Sequence, residues 1–131
     1  MKAEIVAIPK IEDPRGSLSF IQQGVAVDFV PRRVFYLYDV PAGASRGGHA
    51  HHQARELIIA LSGAFDVVLD DGREKQTFRL DRPNKGLFVS NGLWREIENF
   101  SGGAVCLVVT SEDFSEADYI RGYNEFLASK K

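Results

Sequence analysis

A chain of 131 residues with 44% hydrophobic and 26% charged side chains suits one domain over residues 1–131, burying roughly two-thirds of its unfolded surface. That composition excludes a disordered or fibrous chain, and a net charge of −2 argues against nucleic acid or an anionic membrane as the main partner. No apolar run approaches the roughly 20 residues that span a bilayer, and Met1-Lys-Ala-Glu-Ile-Val lacks a signal-peptide core, so a cytoplasmic protein is expected.

Short apolar runs alternate with Gly, Pro, Asp and Asn. In chain order they predict strands at Ala3–Ile8, Ser17–Gln22, Arg33–Asp39, Gly47–His52, Glu56–Leu61, Ala64–Leu69, Lys75–Leu80, Gly86–Ser90, Leu93–Glu98 and Val105–Thr110. Asp70-Asp71-Gly72 signals a hairpin, and Ser62-Gly63 and Asn91-Gly92 are further turns. Strands spaced by about ten residues suggest a sandwich or barrel. At the end of the chain, Ser115 is a candidate cap for a helix starting at Glu116, with Asp118 as capping-box partner. Tyr119, Ile120, Tyr123, Phe126 and Leu127 follow at helical spacing and read as packing residues. Cys106, the only cysteine, lies in an apolar run and reads as a buried, inert thiol.

All three histidines fall in Arg46-Gly-Gly-His-Ala-His-His52. In a strand, His49 and His51 share one face and His52 takes the other, where polar Gln53 and Arg55 suggest solvent. Two buried imidazoles need donors and acceptors satisfied, so an inward pair points to function. Neutral imidazoles exchange protons near pH 7, and Arg46 and Arg95 suit developing anionic charge on an enolate or a phosphate. These residues point to proton transfer beside a carbonyl.

Gly43, His49, His51, Glu56 and Gly63 match the spacing of the first cupin motif, G-x5-H-x-H-x4-E-x6-G. The resemblance implies an all-β cupin fold, a small antiparallel β-barrel or jelly roll with inward histidines, here followed by a short C-terminal helix. Metal-binding cupins use both histidines, the glutamate and a histidine of a second motif. That motif reads Ser90-Asn-Gly-Leu-Trp-Arg95 here, and a guanidinium cannot ligate a metal. A site without metal is expected; a metal-dependent dioxygenase or isomerase using His49, His51 and Glu56 is the alternative. An Arg95–Glu56 ion pair inside the barrel, lowering the glutamate pKa, is a further expectation.

Asp13-Pro-Arg15-Gly16-Ser17-Leu18, Arg33-Val-Phe-Tyr-Leu-Tyr38, the histidine block and Asp118-Tyr-Ile-Arg-Gly-Tyr123 resemble the dTDP-sugar 3,4-ketoisomerases from about Ile11 to Phe126. The resemblance implies a homodimer that needs no cofactor, acting on a dTDP-linked 4-keto-6-deoxyhexose for surface-glycan synthesis. It makes His49 and His51 the acid–base pair in either order. Tyr36 becomes a sugar-binding or catalytic phenol, unless Phe35 or Tyr38 is the inward residue. Arg15, Ser17 and Arg33 become nucleotide-diphosphate ligands, with Arg46, Arg95 and Glu56 completing the substrate site. The strand Ala3–Ile8 is a candidate to cross to a partner barrel. A non-catalytic sugar-nucleotide-binding domain is the remaining reading.

Overall fold

The structure is a computed structural model describing residues 1–131. In chain order its strands are β1 (Ala3–Ala7), β2 (Lys10–Asp13), β3 (Gly16–Ser19), β4 (Gln22–Gln23), β5 (Ala26–Val27), β6 (Arg33–Leu37), β7 (Arg46–His51), β8 (Glu56–Ser62), β9 (Phe65–Asp70), β10 (Lys75–Leu80), β11 (Lys85–Val89), β12 (Trp94–Glu98), β13 (Val105–Thr110) and β14 (Tyr119–Ile120), followed by helix α1 (Tyr123–Ser129). The predicted strands are present with ends shifted by at most two residues, except Ser17–Gln22, which breaks at Phe20-Ile21 into β3 and β4.

Two five-stranded antiparallel sheets, β1-β11-β8-β13-β6 and β10-β9-β12-β7-β14, face each other. Strand periodicity decides which side chains enter the space between them. From β8 come Ile58 and Ala60, from β9 Phe65, Val67 and Leu69, and from β13 Cys106 and Val108. These join one buried cluster with Leu87, Val89 and Ile97. The alternate residues of β8 and β13, Leu57, Ile59 and Val109, pack outward against Ile8, Val27 and Phe29. On the other sheet, Ala50, Trp94 and Ile120 pack outward under Phe126 of α1. Both faces of the central strands are covered, so β8 reads as a continuous apolar run. The fold is an all-β cupin sandwich with one short C-terminal helix. Cys106 is fully buried, and burial pushes its thiol up to about 12.

Local chemistry explains the turns. Asp71 Oδ1 accepts the backbone N–H of Arg73 and of Glu74 in the β9–β10 hairpin, the Asx geometry that favours Asp there. At Gly63 the backbone has φ +66°, and a Cβ would meet the Ala104 Cα at 2.8 Å. That turn therefore requires glycine.

Two expectations are corrected. Ala3–Ala7 does not leave the chain's own sandwich: β1 pairs with β11 from Ala3↔Val89 to Ala7↔Lys85. The C-terminal helix begins at Tyr123, not Glu116. Glu116–Asp118 form a single 3-10 turn, Tyr119 and Ile120 pair with His51 and Ala50 as β14, and Gly122 caps α1. Pairing with β7 outcompetes helical continuation because it buries Ile120 against Ala50 and Trp94.

Candidate active site

A cavity of about 240 Å³ opens between the sheets, lined by Phe35 and Leu37 (β6), His49 (β7), Glu56 and Ile58 (β8), Arg95 and Ile97 (β12) and Val108 (β13), with Arg46, Tyr119 and Arg121. Strand parity carries the polar residues inward. Glu56 shares its face with Ile58 and Ala60, and Arg95 shares its face with Ile97. A β-bulge aims the histidines. Arg95 pairs with His49 but Glu96 pairs with Gly47, which leaves Gly48 as the extra residue. Gly47 and Gly48 adopt φ +90° and +65°, and a Cβ on Gly47 would lie 3.1 Å from the Arg95 carbonyl oxygen. The two glycines thus let the strand approach β12 and set His49 beside Arg95.

His49 and His51 pack edge to face with ring centroids 4.8 Å apart. The Tyr119 ring lies 4.9 Å from His49 and 4.4 Å from His51. The two histidines differ in access. His49 lines the cavity, whereas His51 is 1% exposed and sits behind it. Burial and the nearby Arg95 charge pull the His49 pKa down to about 4, so its imidazole is neutral near pH 7 and competent as a base. Burial and Arg95 likewise lower His51. His52 is exposed on the opposite face.

At the cavity floor Arg95 Nη1 donates to Glu56 Oε1, and Arg95 Nη2 donates to the Leu93 carbonyl at 3.1 Å. The expected contact is present, but the expected pKa direction is not. Burial raises the Glu56 pKa and outweighs the lowering by Arg95. Desolvation penalises a carboxylate wholly removed from water more than one guanidinium stabilises it. Glu56 Oε1 belongs to Arg95 and His51 Nδ1 faces Asp118, and no three His, Cys, Asp or Glu side chains converge as a ligand set. The donor set, with a guanidinium in its midst, does not fit a dication.

The remaining expected residues divide. Arg46 lines the cavity. Arg33 is half-buried and donates to the Tyr119 hydroxyl at 3.4 Å. Tyr36 does not reach the site. Phe35 and Leu37 point inward, so Tyr36 between them faces outward and is 59% exposed. Arg15 and Ser17 also lie away from this chain's cavity, on the exposed β2–β3 hairpin, where Arg15 is paired to Asp13 at 2.7 Å. Their short strands pair only with each other, which leaves them no route inward. Three polar residues of the site were missed: Tyr119 and Arg121 on the wall, and Asp118 bonded to His51. The signal for Tyr119 and Arg121 was their two-residue spacing, masked by the overlapping helical spacing.

A larger open groove of about 690 Å³ lies on the outside of the first sheet, where Lys2, Glu4, Asp28 and Arg55 mix their charges. It holds no histidine and no buried carboxylate, so the chemistry belongs to the smaller cavity.

Comparison with known proteins agrees with this fold. Residues 1–131 match the family described as FdtA: WxcM-like, C-terminal. A TDP-4-oxo-6-deoxy-alpha-D-glucose-3,4-oxoisomerase from Aneurinibacillus thermoaerophilus is 37% identical over 126 residues, covering 96% of this chain and 91% of that protein. The structure of a 3,4-ketoisomerase from Helicobacter canadensis superposes with a TM-score of 0.96 at 38% identity, over 99% of this chain and 98% of that one. That of QdtA, a sugar 3,4-ketoisomerase from Thermoanaerobacterium thermosaccharolyticum in complex with TDP, gives 0.95 at 30% identity over 98% and 93%. With the whole chain matched and its inward histidines set in a cupin sandwich, the protein belongs to the FdtA family of WxcM-like, C-terminal domains.

Proposed function

We propose that this chain is an isomerase that interconverts the 4-keto and 3-keto forms of a dTDP-linked 6-deoxyhexose, by acid–base proton transfer through an enediolate and without a cofactor. The observation that carries the reading is a neutral imidazole, His49, on the wall of the cavity between the sheets beside the Arg95 guanidinium. The relatives named as 3,4-ketoisomerases and an oxoisomerase support the substrate class.

His49 takes the proton from C3 of the 4-keto sugar, and the electron pair moves into the C3–C4 bond. The charge developing on O4 is stabilised by Arg95 until that oxygen is protonated. The O3 proton then leaves, C3 becomes the carbonyl carbon, and C4 accepts a proton. His51 is the second member of the acid–base pair. Phe35, Leu37, Ile58 and Val108 exclude water from the enediolate. Arg46, Arg33 and Arg121 offer the forked donors that suit a diphosphate. Incubation with dTDP-4-keto-6-deoxyglucose in D2O, followed by NMR, tests the reading. A 3-keto product carrying deuterium at C4 is expected. Binding without product or exchange would leave a sugar-nucleotide-binding domain instead.

A homodimer and a cytoplasmic location belong to the same proposal. No helix is long and apolar enough to cross a membrane. Val34 and Tyr36 on β6 and Tyr38 just beyond it are more than half exposed, and β6 is an edge strand with unpaired backbone groups. Ile11 and Leu18 are equally exposed on the β2–β3 hairpin, and an isolated hairpin is marginal in water. A second copy laid across these faces covers both, and Arg15, Ser17 and Tyr36 meet a nucleotide only across such an interface. Val34→Asp with Tyr36→Asp is expected to halve the mass read by light scattering; a dimer that persists rejects this face.

A further inference from the structure

Asp118 has no part in the chemistry described so far, yet it makes the only side-chain hydrogen bond to His51. Its Oδ2 lies 3.1 Å from His51 Nδ1. The same carboxylate accepts the backbone N–H of Gln53 at 2.6 Å on Oδ1 and of Ala54 at 3.2 Å on Oδ2. These bonds fix Asp118 at the end of the 3-10 turn just before β14, where the next residue, Tyr119, pairs with His51 itself. An ionised carboxylate only accepts, so the His51 imidazole donates to it: Nδ1 carries the hydrogen and Nε2 keeps its lone pair.

His51 Nε2 lies 3.7 Å from Glu56 Oε2, and both atoms are buried with no other partner. Two bare acceptors so placed would repel in a dry interior. At 3.7 Å they stand just beyond hydrogen-bond distance, and a proton on either one turns the repulsion into attraction. Glu56 Oε1 is held by Arg95, so the free oxygen is Oε2. Glu56 lines the cavity, whereas His51 does not.

The geometry points to Asp118 as a positioning residue for the isomerisation: it fixes the ring plane and tautomer of His51, which reaches the cavity through the Glu56 carboxyl. Such an orienting carboxylate acts on its histidine and leaves the substrate untouched. The inference rests on the isomerase reading for its consequence and on these contacts alone for its geometry.

Asp118→Asn tests it in two independent ways. The amide oxygen still accepts from Gln53, while its NH2 takes the place of Oδ2, gives up the longer Ala54 bond and donates to His51 Nδ1, which turns that nitrogen into the acceptor. In 15N spectra of the ring nitrogens, wild type is expected to carry hydrogen on His51 Nδ1, and Asp118→Asn is expected to move it to Nε2. With dTDP-4-keto-6-deoxyglucose, kcat is expected to fall by about 10²-fold with KM within about twofold, because the diphosphate ligands are untouched. An unprotonated Nδ1 in wild type overturns the proposal even if the variant does not fold. So does a tautomer switch with unchanged kcat, or a loss of kcat with the tautomer unchanged, which would leave Asp118 only as a tie for the Gln53 and Ala54 backbone. A wild type with the expected tautomer but no turnover would instead reject the isomerase reading.

Discussion

His49→Asn is expected to lower kcat for dTDP-4-keto-6-deoxyglucose by about 10³-fold, while the Kd for dTDP changes by no more than about threefold. His49 is the imidazole that lines the cavity, and a positioned general base is worth about 10²–10⁴-fold. Asparagine keeps a comparable polar volume but cannot take a proton. The arginines suited to the nucleotide, Arg46 and Arg121, lie at other wall positions, so calorimetric titration with dTDP separates binding from chemistry. Deuterium uptake at C4 of the product should fall in step with kcat. The low His49 pKa, about 4, sets a companion result. The base stays unprotonated well below the ordinary imidazole value, so wild-type kcat/KM should hold as pH falls through 6.5 and decline only toward pH 4. Near-wild-type turnover in His49→Asn would remove the proposed base, and an acid limb centred at 6.5 would place it in water rather than in this cavity.

Periodicity made much of this site readable. Glu56 opens a strand whose alternate residues are all apolar, and Arg95 sits two residues before Ile97, so a two-residue repeat carries both inward with the core. The His-x-His spacing did the same for His49 and His51. It could not show that one ring screens the other, because that depends on the Gly47-Gly48 bulge and on the strand that covers β7. Tyr36 was misplaced for a related reason. Val34, Phe35, Tyr36, Leu37 and Tyr38 are apolar or aromatic on both faces, so alternation had nothing polar to mark the outside. Asp118 was hidden by competing local chemistry. Three residues beyond Ser115 it fits a capping box, but its carboxylate goes instead to His51 and to the backbone of residues distant in sequence. No local pattern encodes that choice; it follows from burying Ile120 on the face that β7 shares with Trp94.

Replacing Glu56 by Leu is expected to destabilise the protein far more than replacing Arg95 by Met, although the two side chains are each other's partners. A guanidinium cannot shed its proton in a protein. Glu56→Leu therefore strands a permanent charge at 2% exposure, its remaining bond being to the Leu93 carbonyl. Breaking a buried pair in this way costs about 3–5 kcal/mol, which lowers Tm by about 10 °C or more. Arg95→Met has an escape, because the abandoned carboxyl can bind a proton. Burial already raises the Glu56 pKa and Arg95 is the largest influence holding it down, so the variant raises it further. A carboxyl whose folded pKa exceeds its unfolded value of 4.5 favours folding at low pH, and that contribution is lost as pH climbs toward the folded value. The stability deficit of Arg95→Met should accordingly be small at pH 5 and grow by pH 8, whereas that of Glu56→Leu, which lacks the titrating group, should not grow over the same range. Combining Glu56→Leu with Arg95→Met removes both charges and should recover most of the stability while isomerisation remains lost. Thermal unfolding of the four proteins at the two pH values decides the matter: equal losses in both single variants, with no pH dependence in Arg95→Met, would mean that the Glu56 carboxyl does not take up the proton.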